Sequence, residues 1–279
     1  MATHQGWKKI RPGDYSAARA FLMEREPFCV GACSRFIAGY THAWRLKNSR
    51  GEIAALLLHN RRSLYPLFSA NAALPLPKFL ASFLQKVPIH SVQGLKEDAR
   101  ILEQAMERHG CYAEESIDYD LMTLDEEPFP ECFQAGPVDM VLRKPVPTDA
   151  ERLFHLQAAY EQEEVIPRNG TFYPAACRKN LEKLLASEQC LIACLGNEIV
   201  GKINTSALSF TRCQIGGVYV RPEYRGQGIA VRMSAVFLRD LLADRRGITL
   251  FVKKRNASAR SVYRRLGFIT RGDYRISYF

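Results

Sequence analysis

Apolar residues recur along this chain first at the helix period, then at the strand period, then at the helix period again. An apolar face of Ala17, Ala18, Phe21 and Leu22, with Asp14 as a cap, predicts a helix from Asp14 to about Glu26. Residues 28–39 read as a second short helix. Three strand-like runs follow at about 42–47, 52–59 and 63–69, the first two joined by the turn residues Asn48 to Gly51, which makes a meander. Pro75 and Pro77 open a helix carrying Phe79, Leu80, Phe83 and Leu84. A short strand near Ile89 to Val92, a helix over 96–109 ending at Gly110, and a strand from Tyr119 to Leu124 complete the first half. The acidic, proline-containing stretch Asp125 to Glu131 reads as a linker.

The second half repeats this order. A strand at about 138–143 leads into a helix from Asp149 to Tyr160, a loop through Pro167 to Gly170, and a helix from about Pro174 to Ala186. Strands at about 189–195 and 198–206 are joined by a tight Gly196-Asn197 turn, and a third runs from about 212 to 220. A helix with Ile229, Met233, Val236, Phe237 and Leu241 on one face comes next, then a strand at Thr249 to Val252, a helix from Ala257 to Leu266 and a last strand ending at Phe279. Aligning Glu52-Ile53 with Glu198-Ile199 needs an offset of 146, whereas aligning Gly110 with Gly267 needs 157, so the first half is 11 residues shorter between those points. The missing interval coincides with a glycine-rich loop and its helix in the second half. A duplication whose first copy has lost that loop accounts for this; the competing reading is a coarse element order shared by unrelated α+β domains.

Composition narrows the possibilities. With 279 residues, 47% of them hydrophobic, the chain has material for two cores. No apolar run approaches the roughly 18 residues of a membrane span, and no signal-peptide pattern opens the chain, which predicts a cytoplasmic protein with no membrane partner. The eight cysteines lack the paired spacing of a zinc site, so free buried thiols and no metal are expected. Lys and Arg balance Asp and Glu at 16 each over residues 1–138, against 23 to 13 over 139–279, so the whole net charge of +10 lies in the second half. A basic half invites a nucleic-acid hypothesis, but no recognition motif accompanies it, and an anionic coenzyme explains the bias more simply.

Val218-Tyr-Val-Arg-Pro-Glu-Tyr-Arg-Gly-Gln-Gly-Ile-Ala230 carries the chemistry. Pro222 ends a strand, Gly226 and Gly228 permit positive φ and close approach to the main chain, and the N–H groups from Gly226 to Ala230 open a helix without an earlier carbonyl to bond. Such donors, with the helix dipole behind them and Arg225 beside them, suit a phosphate. The run Arg225-x-x-Gly228-x-Ala230 after Val-x-Val-x-Pro resembles the coenzyme A pyrophosphate loop of the GNAT superfamily of acyl-CoA-dependent N-acyltransferases. Asn256-Ala-Ser-Ala-Arg-Ser-Val-Tyr-Arg-Arg-Leu-Gly-Phe268 is similar to that family's closing motif. The likeness is specific over residues 189–268 and only suggestive before residue 130.

The resemblance implies an α+β fold with a mixed, mostly antiparallel central sheet flanked by helices, in two tandem copies: a degenerate domain over 1–130 and a catalytic domain over 131–279. It implies acetyl-CoA as co-substrate, transfer of the acetyl group to a primary amine, and a monomer or homodimer. Val218, Tyr219 and Val220 would supply main-chain contacts to coenzyme A; Arg225, Gly226, Gln227, Gly228, Ile229 and Ala230 would hold its pyrophosphate, and Asn256 would join them. Tyr263 would protonate the departing thiolate, a packed aromatic being the competing reading. Gly216-Gly217 in a strand interior suggests a bulge that frees N–H donors for the thioester oxygen. Relatives place a glutamate before the bulge, but this chain has Gln214, which cannot act as a base. Glu163 and Glu164, after the first helix of the second half, are the candidates that remain, and Lys202 inside a strand is a possible lining residue. A non-catalytic acyl-CoA-binding module is the alternative function.

Overall fold

The computed structural model describes residues 6–39, 42–69 and 80–279. In chain order its strands and helices are β1 (Lys8–Lys9), α1 (Tyr15–Glu24), α2 (Glu26–Ile37), β2 (His42–Lys47), β3 (Ile53–Asn60), β4 (Ser63–Phe68), α3 (Leu80–Lys86), β5 (Ser91–Leu95), α4 (Lys96–Glu107) and β6 (Glu115–Leu124). Then come β7 (Val141–Arg143), α5 (Ala150–Tyr160), α6 (Pro174–Ser187), β8 (Cys190–Leu195), β9 (Glu198–Leu208), β10 (Arg212–Val220), α7 (Ile229–Leu242), β11 (Gly247–Lys253), α8 (Ala257–Arg265) and β12 (Ile269–Tyr278). The predicted start of the third helix, around Pro75 and Pro77, lies outside the described residues. No described helix is long and apolar enough to cross a membrane.

Two compact units form, one of Met1–Leu121 with Arg271–Phe279 and the other of Met122–Thr270. The sequence, read with the linker at Asp125 to Glu131 and the family resemblance, divides at 130/131; the compact units divide at Leu121/Met122, with the terminal strand in the first. The first unit orders its strands β1-β2-β3-β4-β5-β12, antiparallel except for the parallel pair β4/β5. The second orders β7-β8-β9-β10-β11, again antiparallel except for the parallel pair β10/β11. Each is a mostly antiparallel sheet flanked by helices. Leu57, Leu64, Val92, Leu102 and Met106 centre one core of the first unit, and Val200, Ile215, Met233, Leu238 and Leu250 centre one of the second.

The same small device opens both units. Arg11-Pro-Gly-Asp14 and Val146-Pro-Thr-Asp149 each form a single 3-10 turn before a helix. Asp14 does not cap its helix with its side chain as the sequence suggests. Its carboxylate instead accepts the Arg11 N–H at 3.2 Å and Arg45 Nε at 2.7 Å. Asp149 accepts the Val146 N–H at 2.8 Å and is gripped by both terminal nitrogens of Arg143 at 2.6 and 2.8 Å. Proline at the first turn position leaves the preceding residue extended, so its N–H can turn back to the aspartate three residues on.

In both units the bridged registers of the parallel pair end early, although β5 still lies against β4 at Gly94, where a Cβ would be 3.2 Å from Pro66 O. β4 and β5 share only the registers Ser63↔Ser91 and Leu64↔Val92, although β4 continues to Phe68. β10 and β11 share Arg212↔Gly247, Cys213↔Ile248 and Gln214↔Thr249, although β10 continues to Val220. A splayed parallel pair leaves one strand's donors and acceptors facing a gap, and that gap is where a ligand can take the place of the missing strand partner.

Candidate active site

Along β10 the ladder with β9 slips between Gly216 and Tyr219, which face Asn204 and Lys202. Three steps on one strand against two on the other make a bulge at Gly217 and Val218. Gly217 has φ of 59°, and a Cβ there would run into Asn204 Oδ1 and lie 2.6 Å from Lys202 Nζ, so both backbone angle and space require glycine. The bulge predicted from the glycine pair is present, and its partner is Lys202. This lysine is 1% exposed; Nζ donates to Gly217 O at 3.1 Å and to Asn204 Oδ1 at 3.0 Å, and stands 4.9 Å from the centre of the Tyr160 ring. Burial pushes its ammonium down to about 8. The Gly217 N–H donates to Tyr160 Oη at 3.3 Å. Burial pushes the Tyr160 phenol up to about 12.

Beyond Val220 the chain makes a 3-10 turn at Pro222–Tyr224 and enters α7 through Gly226 (φ 78°) and Gly228 (φ 83°). The Arg225 N–H bonds Pro222 O and the Arg232 N–H bonds Gly228 O; between them the N–H groups of residues 226–231 bond no described main-chain carbonyl. Six consecutive donors without a described main-chain partner, at the head of a helix of 14 residues, could hold an anion. Its floor was not legible in the sequence: a Cβ on Gly228 would lie 2.7 Å from Gly136 N, and Arg232 Nη1 donates to Pro137 O at 3.1 Å. Gly226, by contrast, has open space around it. This donor set and the open seam above it fit a pyrophosphate and an extended arm. That fit rests on those amides at the loop and on a strand edge without a partner.

Arg225 does not stand free beside these donors. Its two terminal nitrogens bond both oxygens of Glu163, at 3.0 and 2.8 Å, while Nε donates to Val220 O. Tyr219 Oη also donates to Glu163 Oε2 at 3.0 Å, and the Arg225 guanidinium covers the Tyr219 ring. The paired guanidinium holds the Glu163 carboxyl below the usual carboxylate range. Glu164 turns the other way: Oε1 accepts Asn256 Nδ2 at 3.0 Å and Oε2 lies 3.3 Å from Lys253 Nζ. Residues 161–165 form a π turn at the end of α5, so successive glutamates reach opposite sides of the seam, one to β10 and one to the end of β11.

Asn256 caps α8 as its position predicts, Oδ1 accepting the Ala259 N–H at 3.0 Å. Tyr263 is 8% exposed, with its ring edge-on to Phe268 at 5.7 Å. Burial, then the charges of Tyr160 and Glu164, raise its phenol well above the ordinary value, so it holds its proton. The structure thus brings Gly217, Lys202, Tyr160, Glu164, Asn256 and the 226–231 loop around one seam. The roles of Lys202 and Tyr160 follow from the register of the bulge, which periodicity alone does not disclose.

Comparison with known proteins agrees with this geometry. Residues 151–268 match the family model described as acetyltransferase (GNAT) family. Comparison with curated proteins gives no match. Among solved structures, a Drosophila protein of unstated function aligns with a TM-score of 0.63 at 13% identity, covering 98% of both chains. A GCN5-related N-acetyltransferase from Sphaerobacter thermophilus gives 0.57 at 21% identity, covering 98% of this chain and 94% of its own. A tandem GNAT protein from the clavulanic acid biosynthesis pathway gives 0.58 at 10%, covering 98% of both. At such identities these likenesses establish the fold, in its tandem form, along nearly the whole chain. The stretch that matches the acetyltransferase (GNAT) family model, residues 151–268, spans the splayed strands, the bulge and the glycine loop.

Proposed function

We propose that the second unit transfers an acetyl group from acetyl-CoA to a primary amine by direct attack of the amine on the thioester. The observation that carries this reading is the coincidence, on one open strand edge, of a glycine bulge and a row of amides without a described main-chain partner at a helix start. The coenzyme supplies an activated acyl carbon. The amides of Gly226 to Ala230 hold its pyrophosphate, and the main chain of Val218, Tyr219 and Val220 holds its arm. The amide that follows Gly217 faces the carbonyl oxygen, where a preorganised donor contributes about 3 kcal/mol to stabilising the developing charge.

Lys202 keeps that donor in place by fixing the Gly217 carbonyl; it is a positioning residue, not one that touches substrate. The attacking nitrogen forms the new C–N bond as the C–S bond breaks, and it must lose a proton. Glu164 is the acceptor we assign, through water, because its charge reaches both Tyr160 and Tyr263 while Glu163 is committed to Arg225. Tyr263 gives its proton to the thiolate, and Asn256 holds Glu164 in place. Glu163 orients Arg225 at the mouth of the phosphate loop.

The test is release of free thiol from acetyl-CoA with a panel of amines, alongside the thermal shift given by coenzyme A. Thiol release that depends on an amine supports transfer. A thermal shift without thiol release would reduce the domain to an acyl-CoA-binding module, and neither response would remove the reading.

A further inference from the structure

The first unit keeps the parallel pair but not the groups that suit it to an anion. β4 pairs with β3 without a register shift, so no bulge amide is freed there. Pro66, inside β4, has no N–H to offer. Beside β4 and β5, residues of α2, α4 and β12 help to line a cavity of about 530 Å³. That volume is typical of a site for a small organic molecule.

The chemistry of its wall is the reverse of the second unit's. Glu24, Glu97 and Asp98 line it, and among the described lining residues only Arg25 is cationic. Arg25 is already engaged: Nη1 lies 3.3 Å from Glu24 Oε2, and the guanidinium sits 4.0 Å from the centre of the Phe21 ring. Asp98 Oδ2 accepts the Phe68 N–H at 3.2 Å. Burial nevertheless pushes the Asp98 carboxyl up to about 7, with the Phe68 bond opposing the shift. Carboxylates in the first turn of a helix are ordinarily favoured by its dipole, so Glu97 and Asp98 could be read as helix-start residues alone. Phe28, Phe68, Tyr65 and Tyr274 supply aromatic surface to the same cavity.

We propose that this cavity is a second ligand site, specific for an organic cation: a primary amine on an aromatic or aliphatic body, its ammonium at Asp98 and its body among Phe28, Phe68 and Tyr274. A half-buried carboxylate beside aromatic faces is a pairing that stabilises an ammonium, by charge and by cation–π attraction. The same surface penalises a carboxylate or a phosphate. The site is independent of acyl transfer in the second unit and stands or falls separately.

The experiment is calorimetry of the full chain at about pH 8, above the titration of Asp98, with three probes of one body and different heads: phenethylamine, phenylpropanol and phenylpropanoate. Phenethylamine is expected to bind at least about ten-fold more tightly than the other two. Asp98→Asn keeps an acceptor for the Phe68 N–H and should erase that preference, while Ala32→Leu, which fills the cavity from α2, should weaken binding even if Asp98→Asn fails to fold. Equal binding of the three probes would overturn the proposal. So would phenethylamine binding that survives Asp98→Asn or Ala32→Leu unchanged, since it would then sit in the second unit.

Discussion

The two units share a strand order, a parallel pair with few bridged registers and an x-Pro-x-Asp turn, yet the surfaces beside those pairs hold opposite chemistry. In the second unit, Gly217 and Lys202 build a bulge and the strand ends in six amides without a described main-chain partner. In the first, Pro66 lies in an unbroken ladder and three carboxylates line the cavity. The sheet fixes where a ligand can lie, and a few side chains on the strand edge decide what charge it carries.

The largest effect should come from Gly226→Val. A β-branched residue at φ 78° is strained and distorts the donor row, yet nothing within 4 Å is displaced, so the core should survive. Loss of the coenzyme A thermal shift is expected, with little change in the melting temperature of the free protein. Gly228→Val is the poorer probe, because it drives a side chain into the Gly136 backbone and would damage the fold as well.

Next in size is Lys202→Met, which removes the anchor on Gly217 O while keeping the chain's length. Turnover should fall about ten- to a hundred-fold, with KM for acetyl-CoA within a few-fold, because the lost contact positions a donor that acts in the transition state. An equal rise in KM with unchanged kcat would mean that Lys202 merely supports the fold. Tyr263→Phe should lower kcat by about ten-fold or more, leaving coenzyme affinity within a few-fold, since the ring and its contact with Phe268 remain. An unaltered kcat would return Tyr263 to the core.

The smallest effect sharpens the likeness between the units. Asp14→Asn and Asp149→Asn should each cost about 1–3 kcal/mol near neutral pH, by leaving Arg45 or Arg143 without its partner. Both carboxyls are lowered when folded. At Asp14 burial opposes the charge but the bonds from Arg45 and the Arg11 amide outweigh it; at Asp149 the Arg143 bond leads and brings the value to about 2 from 3.8. A depressed folded value means the stabilisation is full above the unfolded value and is lost as pH falls through the folded one. The Asp149→Asn deficit, read by denaturant unfolding, should therefore shrink between pH 3.8 and about 2. A deficit independent of pH would detach it from the ion pair.

Local signals carried most of the fold. The glycine loop at Gly226 and Gly228, the Asn256 cap and the Gly216-Gly217 bulge are written in neighbouring residues, and each appears where the sequence placed it. What the sequence did not disclose depends on distant pairing. Glu163 and Arg225 are separated by 62 positions and meet only because a π turn ends α5. Gly136 lies under Gly228 through a turn that has no periodicity. The alternation of Ile269–Tyr278 shows a strand without naming its neighbour, which proved to be β5 of the first unit. The acidic cavity was equally hidden, because its lining comes from six separate elements.

The central claim is that coenzyme A is held by the second unit's donor loop and by nothing in the first. Calorimetric titration of the whole chain with coenzyme A, repeated on Gly226→Val, tests it most directly. One site per chain in the parent protein and none in the variant is the predicted result; two sites, or a single site that persists in Gly226→Val, would contradict it.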